Sequence, residues 1–291
     1  MAQPQQSSIP VVSGLRPAPR VRITDGIVIG PGRPLALMSG PCVIEADDLM
    51  MRVAETMVGI TRRLEIPYIF KSSFEKDNRS SEGNYRGPLI DKGLALLARI
   101  KKEFGVPVIS DVHRASDLKA AAEVLDIIQI PAFLCQQTSL LEAAGRTMKP
   151  INVKKGQFMA PGGMKGAVTK LLATGNDRIL LCERGNMFGY NNMVNDFTAI
   201  PQMQEFGCPV VYDATHSVRR YGIPSADPSG GNPQFIPNLV RCGVAAGCDA
   251  LFMETHPDPP KALCDASSQQ RLDGMEALLI QARRISEIAR G

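Results

Sequence analysis

Residues 67–87 read PYIFKSSFEKDNRSSEGNYRG. An apolar run, Pro67-Tyr68-Ile69-Phe70, breaks without transition into Lys71, Lys76, Asn78, Arg79, Ser80, Ser81 and Arg86. The run has the composition of a short buried strand, and the residues after it form a dense set of N–H and O–H donors. Such a set suits an anion with several acceptor oxygens, a phosphate or a carboxylate. A solvated basic loop is the plainer reading. Against it, the serines beside Arg79 add neutral donors that solubility does not need, and the loop leaves the C-terminal end of a strand, where α/β folds build their sites.

The same grammar recurs along the chain. Short apolar runs fall at residues 35–39, 68–70, 106–109, 127–130, 151–153, 179–182, 210–212 and 250–253. They are continuous rather than alternating, as strands covered on both faces are. Helical segments come after them at 46–64, 90–104, 115–125, 138–148, 164–173, 193–205, 233–246 and 274–289; in the first, Leu49, Val53, Met57 and Ile60 stand at helical spacing. Eight strand-then-helix units predict one closed (β/α)8 TIM barrel. A doubly wound open sheet is disfavoured by the even count and by the lack of a GxGxxG turn after the first strand. Two β-prone runs around Asp25-Gly26 predict an N-terminal hairpin over 21–30. Residues 1–20, proline-rich and aperiodic, read as a flexible arm, and 21–291 as a single domain.

Bulk properties bound the function. The 291 residues are 44% apolar and 21% charged, with a net charge of +4 and no Trp. That balance suits anionic small molecules and gives no support to nucleic-acid binding. No apolar run approaches the ~20 residues of a membrane helix, and the polar, proline-rich start lacks a signal-peptide pattern. Seven scattered cysteines without a CxxC pair point to reduced thiols in a cytoplasm. Cys182, Cys208, Cys242 and Cys248 fall in strand or helix context and read as core; Cys264 is ambiguous.

In a barrel all strand ends meet on one face. Here those ends carry Cys42, Lys71, Asp111, His113, Gln129, Lys154, Arg184, Asp213, His216, Glu254 and His256. Cys42, His216, Glu254 and Asp265 form a candidate metal set, since thiolate, imidazole and carboxylates suit Zn²⁺, Fe²⁺ or Mn²⁺. Taken singly, Cys42 could be a small buried hydrophobe and His216 a hydrogen-bonded loop residue. Lys71, Lys76, Lys154 and Arg184 read as one anion site deep in the mouth, and Arg79 with Ser80 as a second nearer the rim. His216 and Asp111 are the candidates for proton handling, with Lys71 and Lys154 as further catalytic cations.

Several long motifs carry a resemblance: KSSFEKDNRSS (71–81), IPAFL (130–134), INVKKGQF (151–158), ERGNMFGYNN (183–192), YDATHS (212–217) and METHPDPPKALCDASSQ (253–269). Together, and in this order, they resemble the 3-deoxy-D-manno-octulosonate-8-phosphate synthases, also called 2-dehydro-3-deoxyphosphooctonate aldolases. The resemblance implies a homotetrameric cytoplasmic transferase that joins phosphoenolpyruvate to D-arabinose 5-phosphate and releases inorganic phosphate, for lipopolysaccharide biosynthesis. It implies phosphoenolpyruvate contacts at Lys71, Lys76, Lys154 and Arg184, pentose-phosphate contacts at Asn78, Arg79 and Ser80, and pocket-lining roles for Asp111 and Gln129. Gly-Pro-Cys42 is similar to the metal-dependent class, with His216, Glu254 and Asp265 completing the ligands. Gln136 stands where many members have Arg, and Asp77 where Ala is common; both predict a weaker grip on phosphate. The alternatives are the sister 3-deoxy-D-arabino-heptulosonate-7-phosphate synthases, which use erythrose 4-phosphate, and a non-catalytic anion-binding barrel. Asn78-Arg79-Ser80-Ser81, in place of the sister enzymes' Lys-Pro-Arg-Thr pattern, favours the five-carbon acceptor.

Overall fold

The computed structural model describes residues 14–78, 83–224 and 227–290. Eight parallel strands close on themselves: β3 (Ala36–Gly40), β4 (Tyr68–Lys71), β5 (Val108–Asp111), β6 (Ile127–Ile130), β7 (Ile151–Lys154), β8 (Ile179–Glu183), β9 (Val210–Asp213) and β10 (Ala250–His256). Each pairs with the next, and β10 returns to β3 with Glu254 opposite Gly40. Helices α1 (Asp47–Arg63), α2 (Ile90–Phe104), α3 (Leu118–Val124), α4 (Thr138–Arg146), α5 (Lys165–Leu172), α6 (Ala199–Gln204), α7 (Ile236–Ala245) and α8 (Met275–Ala289) alternate with them. This is the (β/α)8 barrel expected. The antiparallel hairpin is also there, as β1 (Val21–Thr24) and β2 (Ile27–Ile29), and a two-residue β11 (Gln270–Arg271) lies beside the end of β10.

The continuous apolar runs resolve into two buried faces. Leu37, Tyr68, Phe70, Val108, Ile128, Ile179, Leu181, Leu251 and Met253 face the helices in one large core. Ala36, Met38, Ile69, Ile109, Ile127, Leu180, Cys182, Val211, Ala250 and Phe252 fill the barrel interior, and Val21 and Ile29 of the hairpin join them. The period of two sorts them, because successive side chains of a strand point to opposite faces. Burying each such Leu, Ile or Phe contributes roughly 1.5–3 kcal/mol.

That period also decides what reaches the mouth. Ile69 points inward, so Lys71 does; Ile109 sets Asp111, Ile127 sets Gln129, Val211 sets Asp213, and Phe252 sets Glu254. Polar residues at the last inward position are therefore delivered to the same opening by backbone geometry alone.

Two expectations are corrected. The helix read over 193–205 begins only at Ala199. Val194 exchanges backbone hydrogen bonds with Asn186 in both directions, which commits that stretch to an extended bridge. Asp196 then accepts from both the amide and the hydroxyl of Thr198, at 3.0 and 2.6 Å, and starts the helix late. Cys242, expected in the core, is exposed. The buried face of α7 is Ile236, Val240, Gly243 and Val244, and a residue two positions from Val240 points away from it. Among the described residues no helix is long and apolar enough to cross a membrane.

Candidate active site

The mouth contains a cavity of about 470 Å³, lined among others by Lys76, Asn78, Asp111, Lys154, Arg184 and His216. Its floor is a network of buried charges, each held by a neighbouring strand.

Lys71, fully buried at the end of β4, donates to Glu254 Oε1 at 2.5 Å and to the Cys42 carbonyl at 3.0 Å. It is not part of the cavity lining. Gly40 keeps β3 close enough for this, since a Cβ there would overlap the Lys71 carbonyl. Lys76 pairs with Asp111 at 3.0 Å, and Ser73 donates to the same carboxylate at 2.7 Å. Gln129 donates to the other oxygen of Asp111 and accepts from Asn152 at 2.8 Å, so one polar row crosses β5, β6 and β7. Burial alone would raise the Asp111 pKa. Lys76 and then Lys71 outweigh it and hold the carboxyl well below the ordinary range.

A second network is built around Asp213. Its Oδ1 accepts from the amides of Thr215 and His216, at 3.1 and 3.0 Å, and from the Thr215 hydroxyl at 3.0 Å. Its Oδ2 lies 2.6 Å from Lys154 Nζ and 2.8 Å from His216 Nδ1. The carboxylate thus fixes the imidazole with Nε2 turned outward, 3.4 Å from Asp265 Oδ2 and 3.6 Å from Glu254 Oε2. Lys154 also sits 3.9 Å from the Phe252 ring centroid, with Lys71 at 5.1 Å. Burial would lower the Lys154 pKa, but Asp213 reverses the direction and raises it.

The candidate ligands gather in two overlapping groups. His216, Glu254 and Asp265 offer atoms all within 4.8 Å of one another; so do Cys42, Cys264 and Asp265. Asp265 is common to both, with its Oδ2 3.4 Å from Cys42 Sγ. Glu254 Oε2 is buried without a hydrogen-bond partner. An orphaned carboxylate oxygen among a thiol, an imidazole and a second carboxylate is what a cation would satisfy. Cys42 Sγ lies 2.8 Å from Cys264 Sγ, and burial first, then that contact, pushes the Cys42 thiol pKa up.

Of the anticipated substrate contacts, Lys76, Asn78, Lys154 and Arg184 line the cavity, while Lys71 and Gln129 are buried outside its lining. Arg79 and Ser80 lie outside the described residues. Arg184 is aimed by Glu183, whose Oε1 accepts from the amides of Arg184 and Gly185 at 3.0 and 2.6 Å and turns the chain after β8. Asp77 pairs with Arg86, as an acid inside a cationic loop should. His113 is buried and uncharged, its pKa lowered to about 4 by burial. Sequence reasoning passed over Asp213 as a site residue, along with Arg219 and Arg220 of the lining. For Asp213 the signal was present: Asp-x-x-His at the end of a strand puts carboxylate and imidazole side by side.

The profile of the DAHP synthetase I family matches residues 16–290. Three relatives named 2-dehydro-3-deoxyphosphooctonate aldolase align over most of the chain. That of Desulfotalea psychrophila is 52% identical, covering 89% of this chain and 92% of its own. That of Methylococcus capsulatus is 51% identical, covering 87% and 89%. That of Geobacter sulfurreducens is 49% identical, covering 92% and 98%.

Proposed function

This chain belongs to the DAHP synthetase I family, and from that premise we propose that it is the aldolase its relatives are named for. In this reading it condenses phosphoenolpyruvate with D-arabinose 5-phosphate and water, giving 3-deoxy-D-manno-octulosonate 8-phosphate and inorganic phosphate. It works in the cytoplasm, as a homotetramer, in lipopolysaccharide sugar-acid synthesis. The observation that carries the reading is one cavity holding Lys76, Lys154 and Arg184 beside His216 and Asp265. Cations for two anionic substrates and a candidate metal group share one space.

Two phosphorylated substrates repel each other, and the cations offset that cost while fixing both partners. Lys76 and Lys154 are already paired with Asp111 and Asp213. They are therefore rigid donors at fixed points, and Arg184, whose guanidinium contacts only Met193 Sδ at 3.7 Å among its described hydrogen-bond partners and forms no ion pair among the described residues, offers its charge to the phosphoenolpyruvate. Held as a carboxylate by Lys76, with its pKa well below the ordinary range, Asp111 is suited to orient Lys76 rather than to exchange a proton.

Cys42, His216, Glu254 and Asp265 would hold a divalent ion, Zn²⁺, Fe²⁺ or Mn²⁺. Bound there, such an ion supplies Lewis acidity toward a carbonyl or a water. His216 would hold such an ion through Nε2, with Nδ1 facing Asp213 Oδ2 at 2.8 Å, and its part would then be to ligate rather than to move a proton. The experiment is phosphate release from phosphoenolpyruvate with D-arabinose 5-phosphate set against erythrose 4-phosphate. Preference for the pentose supports the reading. Preference for the tetrose moves the chain to the sister activity, and binding without release in either case makes it a non-catalytic barrel.

A further inference from the structure

We propose that Arg220 grips the phosphate of the sugar acceptor. The proposal rests on the condensation reading above and adds a residue to it.

The five cations lining the cavity are not alike. Lys76 is matched by Asp111 at 3.0 Å and Lys154 by Asp213 at 2.6 Å. Arg219 reaches Ser267 Oγ at 3.4 Å and lies 3.7 Å from Asp265. Among the described residues, neither Arg184 nor Arg220 has a carboxylate within ion-pair distance. The Arg220 Nε is in addition buried with no hydrogen-bond partner. A buried donor left unmade is costly, and in a cavity wall the natural partner is a ligand oxygen.

Its backbone is not loose. Arg220 N donates to the Gly230 carbonyl at 2.9 Å, and Tyr221 N donates to the Asn191 carbonyl at 2.8 Å. Bridges join Arg220 to Asn192 and Arg219 to Gly231. Gly231 in turn packs against Ser267, whose carbonyl a Cβ there would overlap. The guanidinium thus projects from a strap fixed on both sides, and a preorganised fork suits a phosphate.

Position selects which phosphate. Lys154 and Arg184 come from the ends of β7 and β8, Arg184 being the residue after Glu183. Arg220 comes from the strap beyond β9, which ends at Asp213, with Tyr221, Gly222, Ile223 and Pro224 continuing the same wall. The two carbons that join must meet near the strand ends. A pentose entering aldehyde first carries its 5-phosphate away from them, into the part of the cavity lined by residues beyond the strand ends, Asn78 and Arg220 among them.

The test is steady-state kinetics of wild type, Arg220→Ala, Arg220→Gln and Arg220→Lys with both substrates varied. Arg220→Ala and Arg220→Gln are expected to raise the KM for D-arabinose 5-phosphate about tenfold or more, the worth of a charge-assisted hydrogen bond. kcat and the KM for phosphoenolpyruvate stay within about twofold, and Arg220→Lys recovers part of the loss. Melting curves of the three variants separate misfolding from weakened binding, and the glutamine variant keeps most of the stem in place. An unchanged KM for the pentose in a folded variant overturns the proposal, and so does a rise confined to phosphoenolpyruvate. Should wild type release no phosphate with the pentose, the condensation reading falls; an active wild type with indifferent variants defeats Arg220 alone.

Discussion

Asp213→Asn is the substitution with the most to say about this site. Asparagine keeps the shape and can keep Oδ1, with its three bonds to Thr215 and His216. It replaces Oδ2, which faces Lys154 at 2.6 Å and His216 Nδ1 at 2.8 Å, by an amide NH₂. The change acts on both neighbours. Lys154, buried, loses its counter-charge; removing one partner of a buried pair costs about 3–5 kcal/mol, an upper bound here because the lysine can shed its proton. The imidazole meets a donor at Nδ1, so its proton moves to Nε2 and the lone pair facing Asp265 and Glu254 is lost. Removing such a carboxylate behind a ligating histidine lowers metal affinity about 10–100-fold. The pH dependence has a definite sign. Burial would raise the Asp213 pKa, but His216 and Lys154 hold it well below the ordinary value, so its stabilisation is present above about pH 4 and fades as pH falls through the folded value. The Lys154 pKa is raised, so its share is complete below about pH 10 and lost above. The gap between wild type and variant in urea unfolding is therefore widest across the neutral range and closes in acid. Chelator competition measures the affinity. A folded Asp213→Asn protein that holds Zn²⁺ within twofold of wild type would refute this reasoning.

Other perturbations test separate joints. Gly40→Ala drives a Cβ into the Lys71 carbonyl, and the expected cost of about 1–3 kcal/mol comes with a shifted Cys42 and weaker metal retention, seen by calorimetry and metal analysis. Ile69→Ala opens a hole inside the barrel and should lower unfolding stability by about 2–5 kcal/mol with little change in KM. Asp111→Asn frees Lys76 and leaves Gln129 facing an amide. Because the Asp111 pKa is held low by Lys76 and Lys71 against burial, the stabilisation it gives exists above about pH 4 and disappears below it; acid unfolding of the variant should be shallower than that of wild type.

The barrel was legible because its strands are short apolar runs separated by helical patterns, and nothing else regular fits that count. The mouth was legible for the same reason: Lys71, Asp111, Gln129 and Glu254 each sit two residues beyond an inward apolar side chain. What escaped was pairing. No spacing says that Lys71 turns to Glu254 across the β3–β10 closure rather than toward the cavity, or that Cys264 meets Cys42 from 222 positions away. Arg219 and Arg220 lie beyond the strand-end positions that the apolar pattern marks, and bridges to Asn192 and Gly231 hold their strap in the cavity wall. The late start of α6 was hidden because Val194 bonds to Asn186, a contact that apolar periodicity does not encode.

The most direct measurement is X-ray absorption at the metal edge of protein reconstituted with one equivalent of Zn²⁺. A cation held by Cys42, His216, Glu254 and Asp265 gives sulfur at about 2.3 Å together with nitrogen and oxygen at about 2.0–2.2 Å, the sulfur shell disappearing in Cys42→Ala along with phosphate release. A shell of oxygen and nitrogen alone, or full turnover by protein freed of metal, would contradict it.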